Sequence, residues 1–211
     1  RDKSLSKKLL AYHRLAVPEF EVFRIGRPIR LPTPLSFPLI VKSLTQEASI
    51  GISQASVVDS EDKLKERVAF IHEKIGTAAI VEHYIEGREL YVSILGNQQL
   101  QALPVWELFF ANMPPEAKRI ATDRVKWSVK YQKKYGMDSG PARDIAGSDA
   151  ERIQHVCKRA YRALELSGCA RIDLRMDEAG TVWVLQANPN PQIAKGEDFA
   201  ASAEKVGIAY D

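Results

Sequence analysis

The chain is short of cysteine, of net charge, of long apolar runs and of repeats, and each shortage removes a class of function. Two cysteines in 211 residues, Cys157 and Cys169, make neither a disulfide framework nor a metal-ligand spacing. They read as reduced, semi-buried thiols. A formal net charge of +3, with Lys and Arg spread among nearly as many acids, does not indicate a nucleic-acid surface, while an anionic small ligand stays open. No apolar run approaches a membrane span and no signal-peptide pattern opens the chain, so a cytoplasmic protein without a membrane partner is expected. What remains is near-average composition, long enough for one large domain or two small lobes. Arg1-Asp-Lys-Ser starts directly in a helical pattern without an initiator methionine, and a fragment lacking an N-terminal part is expected.

Helices and strands interleave along the chain. Leu5, Leu9 and Leu10 mark a helix over about 2–15, and 17–23 alternates like a strand. The prolines of 28–38 preclude a regular helix and predict a connector or subdomain boundary. Leu39-Ile-Val-Lys42 and Gly51–Val58 read as a hairpin of two strands. Leu64, Val68, Ile71 and Ile75 predict a helix over 60–75 that closes at Gly76. Residues 78–85, 90–95 and 100–105 read as consecutive strands of a meandering antiparallel sheet. The proline-, glycine- and base-rich 111–147 has no clear period and is expected to be a long loop. Ser148-Asp-Ala-Glu151 matches a capping box that opens a helix with Ile153, Val156, Cys157, Ala160 and Leu164 on one face, ending at Gly168. A last helix is expected over 196–206. The class is α+β, with helices packed on antiparallel sheets in two lobes.

The most informative stretch is 171–191, two strand-like runs joined by Asp177-Glu-Ala-Gly180. Arg171 and Asp173 lie two apart and share one face of the first strand; Gln186 and Asn188 share one face of the second. A carboxylate and two amide oxygens converging there are hard ligands suited to Mg²⁺, with nucleotide phosphates in the remaining positions. Alone, the pattern equally describes a half-exposed hairpin with solvated polar residues. Other signals are weaker. Lys42 ends an apolar strand, where it either meets a phosphate or snorkels to water. Glu47-Ala-Ser-Ile-Gly51 is a small-residue turn whose N–H groups suit a polyphosphate or simply turn the chain. Around His83 and Ile85 backbone groups suit an adenine edge, and Glu89 suits ribose hydroxyls; an acidic hairpin loop looks the same. Asp123-Arg-Val-Lys-Trp127 offers two cations to a substrate phosphate, or is an exposed basic loop. Lys3, near a helix start, is equally open.

Read in order, Asp2-Lys3, Pro38-Leu-Ile-Val-Lys42, Glu47-Ala-Ser-Ile-Gly51, Glu82-His-Tyr-Ile-Glu-Gly-Arg-Glu89, Lys126-Trp127, Arg171-Ile-Asp173 and Leu185-Gln-Ala-Asn-Pro-Asn190 resemble the ATP-grasp fold, nearest its D-alanine–D-alanine ligase branch. The resemblance covers essentially the whole chain. It implies a smaller lobe over about 34–87, a larger lobe and connectors over 1–33 and 88–211, ATP between them, and a preceding N-terminal subdomain absent from this chain. Lys3 and Lys42 would touch the ATP phosphates, Ser49 and Gly51 would belong to a phosphate-covering loop, Glu82, His83 and Ile85 would form the adenine hinge, and Glu89 would hold the ribose. Lys126 would contact the terminal phosphate, Arg171 the transferring phosphoryl group, and Asp173, Gln186 and Asn188 the Mg²⁺. The implied reaction joins a small-molecule carboxylate to an amine through an acyl phosphate, and a homodimer of the full-length protein is left open.

Three departures mark the chain. Gln186 stands where the family has a metal-bridging glutamate. The turn before Gly51 is spaced differently, with one more residue between Lys42 and Glu47 and one fewer before Gly51. Pro191-Gln-Ile-Ala-Lys-Gly196 replaces the ligases' small-residue substrate loop, which argues against D-alanine as the substrate. Two classes of function therefore stand: an ATP-dependent carboxylate–amine ligase, and a non-catalytic or inactivated nucleotide-binding module for which Gln186 is the main support.

Overall fold

The computed structural model describes residues 2–30, 35–46 and 49–210, apart from the side chain of Trp127. Its elements run α1 (Lys3–Tyr12), β1 (Phe20–Phe23), β2 (Leu39–Ser43), β3 (Val57–Val58), α2 (Glu61–Phe70), β4 (Ala79–His83), β5 (Arg88–Leu95), β6 (Gln101–Ala102), β7 (Trp106–Phe110), α3 (Asp123–Trp127), α4 (Val129–Tyr135), β8 (Met137–Pro141), α5 (Gly147–Ala163), β9 (Cys169–Met176), β10 (Val182–Asn188) and α6 (Asp198–Glu204). Contacts divide them into two compact units. The first comprises Arg1–Leu5, Pro18–Ile85 and Phe110–Met137; the second comprises Ser6–Val17, Glu86–Phe109 and Asp138–Asp211.

The first unit is built on a sheet of order β1-β4-β2-β3. β2 is apolar except for Lys42 and Ser43, and Leu39 and Val41 pack with Val58, Leu64, Val68, Ile71, Ala79 and Val81. α2 supplies Leu64, Val68 and, one turn on, Ile71 to this core, while Ser60 accepts a hydrogen bond from the Lys63 N–H at its start. The α-helix ends at Phe70; Ile71–Ile75 continue as a wider π turn, which Gly76 stops at φ 75°.

The second unit carries a sheet of order β10-β9-β5-β7-β8, with β6 paired to the end of β5. Leu90, Val92 and Ile94 on β5, Ile172 and Leu174 on β9, and Val182 and Val184 on β10 meet Ile153, Cys157, Ala160 and Tyr161 of α5. Burying each such side chain contributes roughly 1.5–3 kcal/mol. Period-two alternation then sends Glu89, Tyr91, Ser93, Arg171, Asp173 and Arg175 to the other face.

Four sequence expectations are corrected. The strands over 78–85 and 90–95 do not form one meander, because β1 and β2 occupy both edges of β4 and leave none for β5. Most of 51–58 is not a strand: Gln54–Ser56 form a 3₁₀ turn, and only Val57–Val58 pair with Leu39 and Ile40. Arg67 holds this turn, donating to the Gly51 carbonyl and to Ser56 Oγ at 2.9 Å. The expected loop over 111–147 contains α3, α4 and β8; Thr122 and Ser128 cap helices of 5 and 7 residues, too short to show a period. Finally, α5 begins at Gly147 with Ala146 at its N-cap and no side-chain cap, so Ser148 lies inside the first turn and Asp149 pairs with Arg152 instead. Part of the connector over 28–38 and its boundary at 34 lie outside the described residues.

Gly87 stands at the entry to β5 with φ 141°, and a Cβ there would lie 2.1 Å from the Met176 carbonyl oxygen on β9. Gly87→Ala is expected to destabilise the fold by about 3 kcal/mol. Urea unfolding measures this, and an unchanged midpoint would show that the close approach of strand and turn is relaxed in solution.

Candidate functional site

Each unit brings a different subset of the candidate residues together. In the first, Ile40 lies opposite Glu82, and Lys42 reaches diagonally across to Glu82, Nζ to Oε2 2.8 Å. Glu82 is buried, so this is a desolvated pair whose disruption leaves a charge in the core. Lys3 donates to the carbonyls of Ser43 (3.1 Å), Leu44 (3.5 Å) and Gln46, placing an ammonium at the end of β2. Ser49, at φ 62°, donates to the Ala121 carbonyl at 2.7 Å, and Gly51 follows at φ 75°. The His83 N–H donates to Glu19 (2.9 Å) and the Tyr84 N–H to Pro38 (3.0 Å), while Ile85 is buried. Lys126 is half-buried on α3. Glu47 lies outside the described residues.

In the second unit the polar face of the sheet gathers Glu89, Arg171, Asp173, Gln186 and Asn188. Across β5 and β9 the register sets Glu89 opposite Arg175, Tyr91 opposite Asp173 and Ser93 opposite Arg171. Across β9 and β10 Gln186 lies opposite Asp173 and Asn188 opposite Arg171. The register slips by one between Val184 and Gln186, and this bulge at Leu185 makes the second alignment. Without it Leu185 would face Asp173, and Gln186 would turn toward the α5 core.

Charges on this face satisfy one another. Arg171 donates through Nε to Asp173 Oδ1 (2.7 Å) and through Nη2 to Oδ2 (3.2 Å), while Gln186 Nε2 donates to Oδ2 at 2.8 Å. Beside Asp173 the Arg171 guanidinium is held above its ordinary pKa. Its Cζ also lies 4.7 Å from the Tyr91 ring centroid, a cation–π contact. Arg175 Nη2 donates to Glu89 Oε2 (2.9 Å), and the Tyr91 hydroxyl donates to Oε1 (3.0 Å). Burial, then the Glu89 charge, pushes the Tyr91 hydroxyl well above its ordinary pKa, which keeps it a donor. Relative exposures of 8% for Glu89, 5% for Tyr91 and Asp173 and 3% for Arg175 make this a desolvated network. Asn188 Oδ1 accepts from the Asn190 N–H at 3.0 Å, which shapes the strand's exit.

Tyr91 and Arg175 were not among the sequence candidates. Their signal was the same alternation that paired Arg171 with Asp173: each sits two residues beyond a chosen acid on the same strand. Asp198, at the start of α6, also escaped; it accepts from Trp106 Nε1 (3.1 Å) and Ser139 Oγ (2.5 Å), tying that helix to β7 and β8. No spacing pattern announces a contact across so many residues.

Among the described residues no group of three or more His, Cys, Asp or Glu forms a metal cluster. A metal would rest on Asp173 and the amide oxygens of Gln186 and Asn188, one charged and two neutral hard donors. That set fits Mg²⁺ whose other positions are filled by phosphate and water. Gln186 now presents its N–H to Asp173, so its amide must turn over to offer oxygen.

The family profile described as D-ala D-ala ligase C-terminus matches residues 9–211. The chain belongs to this family. It is 30% identical over 212 residues to the D-alanine–D-alanine ligase of Desulforudis audaxviator, covering 99% of this chain and 64% of that protein. An uncharacterized protein of Sinorhizobium fredii is 28% identical over 209 residues, covering 99% and 59%. Among solved structures, the D-alanine–D-alanine ligase of Bacillus anthracis complexed with ATP superposes with a TM-score of 0.77 at 22% identity, covering 99% of this chain and 61% of that one. The VanG D-Ala:D-Ser ligase of Enterococcus faecalis gives 0.74 at 23% identity, covering 99% and 58%. These likenesses establish the ATP-grasp fold of the ligases. The chain spans about three fifths of the length of these relatives.

Gln186→Glu would set a second carboxylate against Asp173 and remove a donor. The variant is expected to lose about 1–3 kcal/mol without divalent ions and to regain it with millimolar MgCl₂, read as thermal midpoints. Equal midpoints with and without MgCl₂ would count against a metal on this face. Arg175→Met leaves Glu89 buried without its guanidinium, and a loss of about 3–5 kcal/mol is expected in urea unfolding.

Proposed function

We propose that this chain is the ATP-grasp part of an ATP- and Mg²⁺-dependent ligase that joins a small-molecule carboxylate to an amine. The observation that carries the reading is the buried polar face on which Arg171 grips Asp173 while the Leu185 bulge aligns Gln186 and Asn188 with them. A hairpin that only packs against α5 needs no such face, because bringing charges together out of water costs desolvation even when they are paired.

In the proposed reaction a carboxylate oxygen attacks the terminal phosphorus of ATP and ADP departs, leaving an acyl phosphate. The amine then attacks the acyl carbon, and the tetrahedral adduct collapses to an amide with loss of phosphate and a proton. Arg171, always charged, would stabilise the phosphoryl oxygens as charge builds on them, its plane held by Asp173 on one side and the Tyr91 ring beneath. Lys3, Lys42 and Lys126 would meet the phosphates as point charges, and Ser49 and Gly51, both at positive φ, would cover them with backbone N–H groups. Glu82, His83 and Ile85 would receive the adenine, and Glu89 the ribose. Asp173, Gln186 and Asn188 would hold Mg²⁺, which when bound withdraws charge from phosphate oxygens. D-alanine is not proposed as the substrate, since Pro191–Gly196 departs from the ligases' loop.

A second reading, a nucleotide-binding module without ligation, draws on two observations. The amide of Gln186 donates to Asp173, and Arg175 takes an oxygen of Glu89. The acids expected to serve the metal and the ribose are thus engaged internally.

ADP release by the full-length protein, followed with mixtures of small carboxylates and amines, decides between them. Turnover that requires both substrates and falls at least 100-fold in Arg171→Ala is expected. ATP binding by calorimetry with no turnover under any mixture would favour the module, and absence of both binding and turnover would remove both readings.

A further inference from the structure

On the α5 side of the second unit's sheet, facing away from Asp173 and Gln186, lies an open groove of about 450 Å³. Its lining brings together three arginines from separate places. Arg14 comes from the turn after α1, and Arg152 and Arg159 from one face of α5, about two turns apart. Leu15, Val156 and Val182 form an apolar floor, and Ala179–Thr181 of the β9–β10 turn close one side. None of the lining residues is acidic. The volume lies within the usual range for small-molecule sites.

Two of the guanidiniums are held in place by main-chain oxygens without being neutralised by them. Arg159 Nη2 donates to the His13 carbonyl at 2.8 Å, and Arg152 Nη1 to the Gly180 carbonyl at 3.0 Å. Arg152 also meets Asp149 at 3.0 Å through Nη2. A guanidinium has five N–H donors in a fixed fork, so each retains donors beyond these contacts. In the adjoining Asp177-Glu178 pair, Asp177 is occupied by the Thr181 N–H and Trp183 Nε1, both at 2.8 Å.

Arg14 is the telling member. It has φ 56° and closes α1: its N–H donates to Ala11 and the Leu15 N–H to Leu10, the pattern of a left-handed helix terminus. Glycine is the favoured residue there, because a Cβ is strained at positive φ. An arginine at that position is paid for in backbone strain, and its exposed side chain makes no hydrogen bond among the described residues that would explain it. Strain of this kind clusters where a side chain is needed for function.

We propose that this groove binds an organic anion, a phosphate or carboxylate group carried on an apolar body. Arg14, Arg152 and Arg159 meet the anion, and Leu15, Val156 and Val182 meet the body. Bidentate guanidinium contacts suit both oxyanions, and the site is separate from the proposed nucleotide face.

The test is calorimetric titration of the full-length protein with hexyl phosphate, hexanoate and inorganic phosphate, with a saturating non-hydrolysable ATP analogue present. Hexyl phosphate or hexanoate is expected to bind at least tenfold more tightly than inorganic phosphate. Arg14→Gly, which relieves the backbone while deleting the guanidinium, should weaken that binding at least tenfold and leave the thermal midpoint unchanged or higher. Absence of binding, affinity no better than for inorganic phosphate, displacement by the ATP analogue, or unaltered affinity in Arg14→Gly would each overturn the proposal. An arm with phosphatidic acid vesicles separates soluble from lipid anions; binding to vesicles alone would overturn a small-molecule site.

Discussion

Everything distinctive in the second unit depends on one constraint: three adjacent strands must bury the same face against α5. Leu90, Val92 and Ile94 on β5 and Ile172 and Leu174 on β9 satisfy it by simple alternation, and Val182 and Val184 do so on β10. Once that face is committed, the residues between them have no choice of side. Glu89, Tyr91, Arg171, Asp173 and Arg175 are forced into one another's company, and a polar network results from apolar packing.

That network is costly to assemble, which explains how completely it is paired. A buried carboxylate or guanidinium loses hydration worth several kcal/mol, recovered only by close, well-directed partners. Asp173 therefore takes both Arg171 and the Gln186 amide, and Glu89 takes both Arg175 and the Tyr91 hydroxyl. The two acids and two arginines balance in formal charge. A family position occupied by glutamate would add a third acid beside Asp173, and glutamine there supplies a donor where a carboxylate would repel. Under the ligase reading, a nucleotide and its metal must compete with these internal bonds. Under the module reading, the same bonds are the resting and final state.

The fold was largely legible because its signals are local. Ile153, Cys157 and Ala160 announce α5 by spacing alone, and Leu39–Val41 announce a strand covered on both sides. The exceptions have physical causes. α3 and α4 are too short for periodicity, and their capping hydroxyls, Thr122 and Ser128, were the available signal. The separation of β4 from β5 is a matter of edges: β1 and β2 saturate both sides of β4, and nothing within 78–95 reports that. On the polar face, the shared side of Arg171 and Asp173 was legible, whereas Arg175 as the partner of Glu89 required the pairing of strands more than eighty residues apart.

By itself the sequence determined which residues of β5 and β9 share a face, where the longest helix lies, and which side chains are chemically able to meet a phosphate or a hard cation. Period-two alternation contains no more than that, because it is silent on the offset between neighbouring strands. Tertiary structure alone decided that Leu185 bulges. One extra residue in β10 keeps Val184 in the core and yet turns Gln186 and Asn188 to the side of Asp173 and Arg171, since inserting a single residue inverts the face of every residue beyond it. Whether those four side chains meet is thus settled by packing against α5, not by their spacing along the chain.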